Sequence, residues 1–236
     1  DGGQVLLLLA ENQAAANRER QAIWYDPVRA TLLQRCRVAY GRNDRRAKCY
    51  VYRAEGVWRE RRESEGDGGE ADADWVQGGA ANATIPDWKV SSRGRLKYPA
   101  AWPADAGLAS PLMLLPLASA APLEKAGDGQ AVFVHTDQDF FRVRLRMQGR
   151  EQVEVDYQRE AVDGARRRVA GRVTALVVDV EASPLGTPKD GFTLLGLAPP
   201  LQILLDAETR APLALRGHAP WLGETELRLD SVRLAR

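Results

Sequence analysis

Apolar and polar positions alternate along much of this chain with a period of two, the pattern of strands that bury one face. The clearest case is Phe141-Arg142-Val143-Arg144-Leu145-Arg146-Met147, in which apolar side chains alternate with arginine. Residues 152–157 alternate again, with Val153, Val155 and Tyr157 on one side and Gln152, Glu154 and Asp156 on the other. Taken as two neighbouring strands, these segments set Arg144 and Arg146 against Glu154 and Asp156. Such exposed pairs contribute little.

The first third predicts a meander with strands over residues 4–9, 22–25, 30–40, 48–53 and 57–62. A turn at Ala54, Glu55 and Gly56 separates the last two. Val51 and Val57, with Tyr50, Tyr52 and Trp58, favour strand there. Residues 12–20 are polar and alanine-rich, and read as either a loop or a short helix. Residues 63–74 hold six acids and predict a flexible exposed loop. A strand is expected over 87–98. The Pro/Ala-rich stretch 99–122 predicts a short helix at the apolar cluster Pro111–Leu117 followed by an irregular connection, since its prolines stop any long helix. Strands over 131–135, 172–181, 201–205, 212–216 and 224–234 complete the pattern. Consecutive strands with short turns pair antiparallel. The expected fold class is therefore mostly β: one domain over residues 1–236, with a curved antiparallel sheet, an apolar concave face, and minor helical and irregular connections.

The C-terminal segment runs Leu201-Gln202-Ile203-Leu204-Leu205-Asp206-Ala207-Glu208-Thr209-Arg210-Ala211-Pro212-Leu213-Ala214-Leu215-Arg216-Gly217 and closes with Leu222-Gly223-Glu224-Thr225-Glu226-Leu227-Arg228-Leu229-Asp230-Ser231-Val232. This strand, Asp-x-x-Thr turn, Pro-Leu strand, glycine loop and final strand resembles the closing meander of periplasmic proteins with the LolA-like β half-barrel, and looks closest to an uncharacterised exported family of that type. The resemblance covers this segment alone and carries over no individual residue. It implies a half-barrel that holds acyl chains, lipoproteins or other hydrophobic cargo.

Charge changes the picture by exclusion. Basic and acidic side chains number 33 and 32, for a net charge of +1. That balance argues against a dedicated nucleic-acid binder, which needs a clear basic excess. Hydrophobic residues make up 44%, enough to build a packed core. The apolar run 5–10 is far shorter than the ~20 residues a membrane helix needs, so no transmembrane segment is expected. The sequence opens on Asp1 rather than Met, which reads as either a shortened chain or one whose leader has been removed. Centring the turn at Gly41, Arg42, Asn43 and Asp44 on its middle pair sets Cys36 directly opposite Cys49, the separation a disulfide needs. A disulfide implies an oxidising compartment, and the periplasm is the expected location.

No conventional catalytic motif is present. There is no Gly-x-Ser-x-Gly elbow, and pairing both cysteines leaves no thiol nucleophile. Gly66-Asp67-Gly68-Gly69 is flanked by acids that repel phosphate. The carboxylate pairs Asp72/Asp74 and Asp137/Asp139 lie in a loop and a turn, without the partly buried setting that tunes a catalytic acid. His135 with Asp137 and Asp139 is the one arrangement that invites a metal, and the surface-loop reading outweighs it. His218 has no ligand spacing around it. Of six tryptophans, Trp102 and Trp221 lie in Pro- and Gly-flanked loops, where an exposed ring suits an apolar ligand or a partner. The expectation is a non-catalytic carrier without cofactor or metal. It would bind a hydrophobic small molecule or lipid, with Phe141, Val143, Leu145, Val153, Val155, Trp102 and Trp221 as candidate lining residues. A packed core is the competing reading of the same strand face. The alternative function is an accessory subunit docking onto an envelope protein.

Overall fold

The computed structural model describes residues 5–14, 17–40, 45–64, 88–103, 106–161 and 163–233. Where the sequence reads as one domain, the chain's contacts divide it into two compact units, Asp1–Ala109 and Ser110–Arg236. The protein is mostly β, as the alternation predicts.

In the first unit, β1 (Leu6–Ala14), β2 (Asn17–Asp26), β3 (Thr31–Tyr40), β4 (Arg45–Arg53), β5 (Gly56–Glu63) and β6 (Lys89–Leu96) form a six-stranded sheet in chain order. Each neighbouring pair is antiparallel. Within the 12–20 stretch, the described residues 12–14 and 17–20 are strand, neither loop nor helix. They form the far end of the β1–β2 hairpin, where Ala14 pairs with Asn17. A helix this short is marginal in water, whereas the hairpin supplies each of these strand residues a ladder partner.

Cys36 stands opposite Cys49 in the β3–β4 register, as the centred turn predicts. The two form a disulfide with their Cα atoms 4.2 Å apart. Small side chains surround it: Ala22, Val38 and Ala47 are buried, with Trp24, Tyr40 and Trp88 packed against them. The turn at 41–44, residues 65–74 of the acidic stretch, Asp72, Asp74 and Trp75 lie outside the described residues. β7 (Leu108–Ala109) joins the unit through the Leu108 N–H, which donates to Thr31 Oγ1 at 3.3 Å. Gly107 just before it passes so near that a Cβ would lie 2.2 Å from the Ala30 carbonyl oxygen, so only glycine fits.

The second unit begins with a 3₁₀ turn (Pro111–Met113) running into α1 (Leu114–Ala120), the short helix expected within the Pro/Ala stretch. Then follow β8 (Gly129–His135), β9 (Phe140–Glu160), β10 (Arg166–Pro184), β11 (Ala198–Asp206), β12 (Pro212–Ala219), β13 (Gly223–Arg228) and β14 (Ser231–Arg233). Strands β13-β12-β11-β10-β9-β8 lie side by side in that order. β14 adds to β9 in parallel.

The segments 141–147 and 152–157 are not two strands but one. β9 runs without a break for 21 residues. Gly149, which separates the two alternating stretches, sits at a bulge rather than in a turn. Val178 pairs with Met147 and Val177 with Gly149, leaving Gln148 as the extra residue. The predicted pairing of Arg144 and Arg146 with Glu154 and Asp156 is therefore excluded, since residues eight to twelve apart on one strand lie about 26–40 Å apart. Arg146 instead meets Asp179 and Glu181 at 3.7 and 3.3 Å. Asp156 and Glu154 pair with Arg168 and Arg172 on β10.

The Asp-x-x-Thr turn between β11 and β12 ties α1 to the sheet. Asp206 Oδ1 accepts from the backbone N–H groups of Glu208 and Thr209 and from the Thr209 hydroxyl. This folds the turn so that Arg210, at φ 63°, reaches the helix end. Its guanidinium donates to the carbonyls of Ala118, Ser119, Ala121 and Leu123. Ala118 and Ser119 lie in the last turn of α1, where a helix leaves its carbonyls without intrahelical partners, and Ala121 and Leu123 follow just beyond it.

Candidate ligand-binding groove

The bulge in β9 decides which side chains can share a site. Cross-strand partners project from the same face of a sheet. Leu145 pairs with Val180 and Met147 with Val178, whereas Val153, Val155 and Tyr157 pair with Val173, Gly171 and Val169. On β10 these partner sets fall on even and odd positions, hence on opposite faces. The extra residue has thus moved the apolar stripe of β9 from one face of the sheet to the other.

The first half of the stripe is packed core. Phe141, Val143 and Leu145 are buried, along with Val178, Val180, Leu201 and Ile203. Phe141 meets Phe192 edge-on at 5.3 Å. The second half lines a groove of about 550 Å³. Its floor is Val153, Val155 and Tyr157 from β9, Leu204 from β11, Leu213 from β12, and Leu229. A volume of this size lies within the range of small-molecule sites. The structure therefore brings Val153 and Val155 together at a cavity and separates Phe141, Val143 and Leu145 from them.

Two sets of contacts show how strongly the sheet curves around this groove. Arg216 on β12 reaches Glu151 on β9 at 2.7 Å, although β11 and β10 lie between those strands. Three strand spacings would separate the two by roughly 14 Å in a flat sheet. The chain between β13 and β14 makes the same crossing: the Leu229 N–H donates to the Leu213 carbonyl on β12, and the Asp230 carbonyl accepts from Gln158 N–H on β9. Gly171, opposite Val155, has nothing within 4 Å of the position a Cβ would take, so the wall there stays open.

A charged cluster forms one side of the groove. Arg216 Nε donates to Glu226 Oε2 at 2.6 Å, and Arg228 Nε to Glu226 Oε1 at 2.6 Å. Burial alone would raise the Glu226 carboxyl, but the hydrogen bonds from Arg216 and Arg228 outweigh it and hold it below the usual glutamate range. Burial likewise opposes the charge on Arg216, and its bonds to Glu226 and Glu151 overcome that and strengthen it.

The remaining predicted residues lie elsewhere. Trp102 belongs to the first unit and stacks on Tyr98 at 5.1 Å, so it lines no part of this groove. Trp221 is fully exposed at the β12–β13 turn, in a left-handed conformation (φ 70°), beside Leu222 at 79% exposure. His135 is fully buried against Phe140, not in a surface loop. Asp139 is buried too, and its carboxylate oxygens accept the backbone N–H groups of Lys189 and Asp190. It pins a loop to the start of β9. Among the described residues, no group of three or more His, Cys, Asp or Glu is placed to hold a metal ion. No described helix is long and apolar enough to cross a membrane.

Leu204, Leu213, Leu229, Arg216, Glu226, Arg228 and Glu151 were not singled out from the sequence. Leu204 lies on β11, Leu213 on β12 and Leu229 just beyond β13, and their apolar character does not say which inward face is hollow. In comparisons with known proteins, the chain matches no family model, no curated protein and no solved structure.

Proposed function

We propose that the second unit is a non-catalytic binding or carrier module for a hydrophobic, lipid-like ligand held on the concave face of its sheet. The observation that carries this reading is the groove itself: about 550 Å³ floored by Val153, Val155, Tyr157, Leu204, Leu213 and Leu229. An apolar floor on a preformed β scaffold favours an apolar chain by burial, at roughly 25 cal/mol per Å² removed from water. The curved sheet also agrees with the cargo-holding half-barrel that the C-terminal meander resembles. The Cys36–Cys49 disulfide favours an oxidising compartment, and with it the periplasm. The test is native mass spectrometry of protein purified from its own host, followed by organic extraction. The reading expects a lipid-sized mass above 26.0 kDa that solvent releases. A bare chain that also takes up no long-chain lipid from solution would overturn it.

A second reading, an accessory subunit of an envelope complex, is favoured by Trp221 and Leu222. A fully exposed indole next to an exposed leucine, on a strained turn, is the kind of anchor that partner surfaces use. Trp221→Ser would then abolish co-purification of a stable partner while leaving lipid uptake intact.

A further inference from the structure

The groove is not apolar throughout, and its charged side points to a ligand class. Arg216 lies at the edge of the aliphatic floor with its side chain about one-third exposed. Its guanidinium is filled by two carboxylates, Glu226 at 2.6 Å and Glu151 at 2.7 Å. These two are held differently. Glu226 comes from the neighbouring strand and also accepts from Arg228, so two guanidiniums fix it. Glu151 reaches across the concave face from β9 to make its bond, and 36% of its side chain meets solvent. Removing Glu151 from Arg216 therefore leaves a carboxylate that water can solvate. Removing Glu226 would break two ion pairs. Glu151 is the exchangeable partner.

We propose, resting on the groove reading above, that the ligand is a single-chain amphiphile with a carboxylate head, a long-chain fatty acid. The head takes the place of Glu151 on Arg216, and the chain lies along Val153, Val155 and Tyr157. These three recur every second residue, so their stripe runs about 13 Å along the strand and suits an extended chain. A guanidinium already dressed by carboxylates has the planar, forked geometry that such a head requires. The exchange keeps the number of carboxylates on Arg216 unchanged, and the displaced Glu151 carboxylate, already about one-third exposed, turns to water. Arg228, on the same wall, adds a second positive charge beside the incoming head.

The experiment is a direct binding titration of the intact protein with hexadecanoate and with hexadecanol, which share a chain and differ in head charge. The proposal expects wild type to bind hexadecanoate about tenfold more tightly or better. Arg216→Gln should bring the two ligands to parity. Glu151→Gln should tighten hexadecanoate severalfold and leave hexadecanol unchanged, a gain that damaged folding would not produce. Equal binding of both ligands by wild type would overturn the head-group assignment and leave the groove reading standing. Binding of neither would overturn the groove reading, and this inference with it. A Glu151→Gln variant with unchanged or weaker hexadecanoate affinity would overturn the exchange.

Discussion

Single side chains hold several non-local joints of this protein. Arg210 is the most connected, since its one guanidinium satisfies carbonyls from residues 118, 119, 121 and 123. Replacing it with methionine keeps the aliphatic stem but removes the hydrogen bonds it donates to those oxygens. Arg210→Met is expected to destabilise the second unit by about 2–3 kcal/mol, read from denaturant unfolding. Carboxylates set the response to acid. Glu226 and Glu60 are both held below the usual glutamate range. For Glu226, its arginine partners overcome the opposing effect of burial; for Glu60, hydrogen bonds from Arg93 and Arg62 are the main cause. A carboxylate lowered on folding binds fewer protons folded than unfolded as pH drops through that interval. Its stabilisation is therefore complete above the ordinary value of 4.5 and is lost as pH falls through the lowered folded value. Tm should stay level from neutral pH to about pH 5 and decline below it, and Glu226→Gln should make that decline shallower.

At the level of elements, β9 carries the architecture. One bulge lets a single strand supply core to one face and groove to the other. Deleting Gln148 would restore strict pairing and turn one half of the strand over, exposing either Val143 and Leu145 or Val153 and Val155. Loss of cooperative unfolding in the second unit is the expected result, by circular dichroism and amide exchange. Gly149→Ala is the control: no atom lies within 4 Å of the added methyl, so stability should change by less than about 1 kcal/mol. The exposed face of the β9–β10 ribbon carries Arg166–Glu160, Arg168–Asp156 and Arg172–Glu154 pairs. Each contributes little alone, so neutralising any one should barely move Tm.

On the scale of the whole molecule, the two units lean on different devices. The first is cross-linked by Cys36–Cys49, which closes a loop of sequence separation 13. Replacing both cysteines with alanine should cost the first unit about 2–4 kcal/mol and leave amide protection in β9–β11 unchanged. Much of this protein was legible in its sequence. The mostly β class, the strand positions, the short helix among the prolines and the cysteine register all follow from local patterns. Period-two alternation, proline's missing donor and directly opposed residues act over a few positions of chain. Residues 12–14 and 17–20 escaped, because alanine favours helix weakly and only pairing across the hairpin made them strand. The groove escaped for a deeper reason. Phe141, Val143, Leu145, Val153 and Val155 all fall on odd positions of two like alternating stretches, and nothing local distinguishes core from cavity between them. A single extra residue at Gln148 placed them on opposite faces, and the curvature that brings Arg216 to Glu151 hollowed one of those faces. Alternation says which side chains avoid water. Only the closing of distant strands upon one another decides whether they meet other side chains or leave room for a guest.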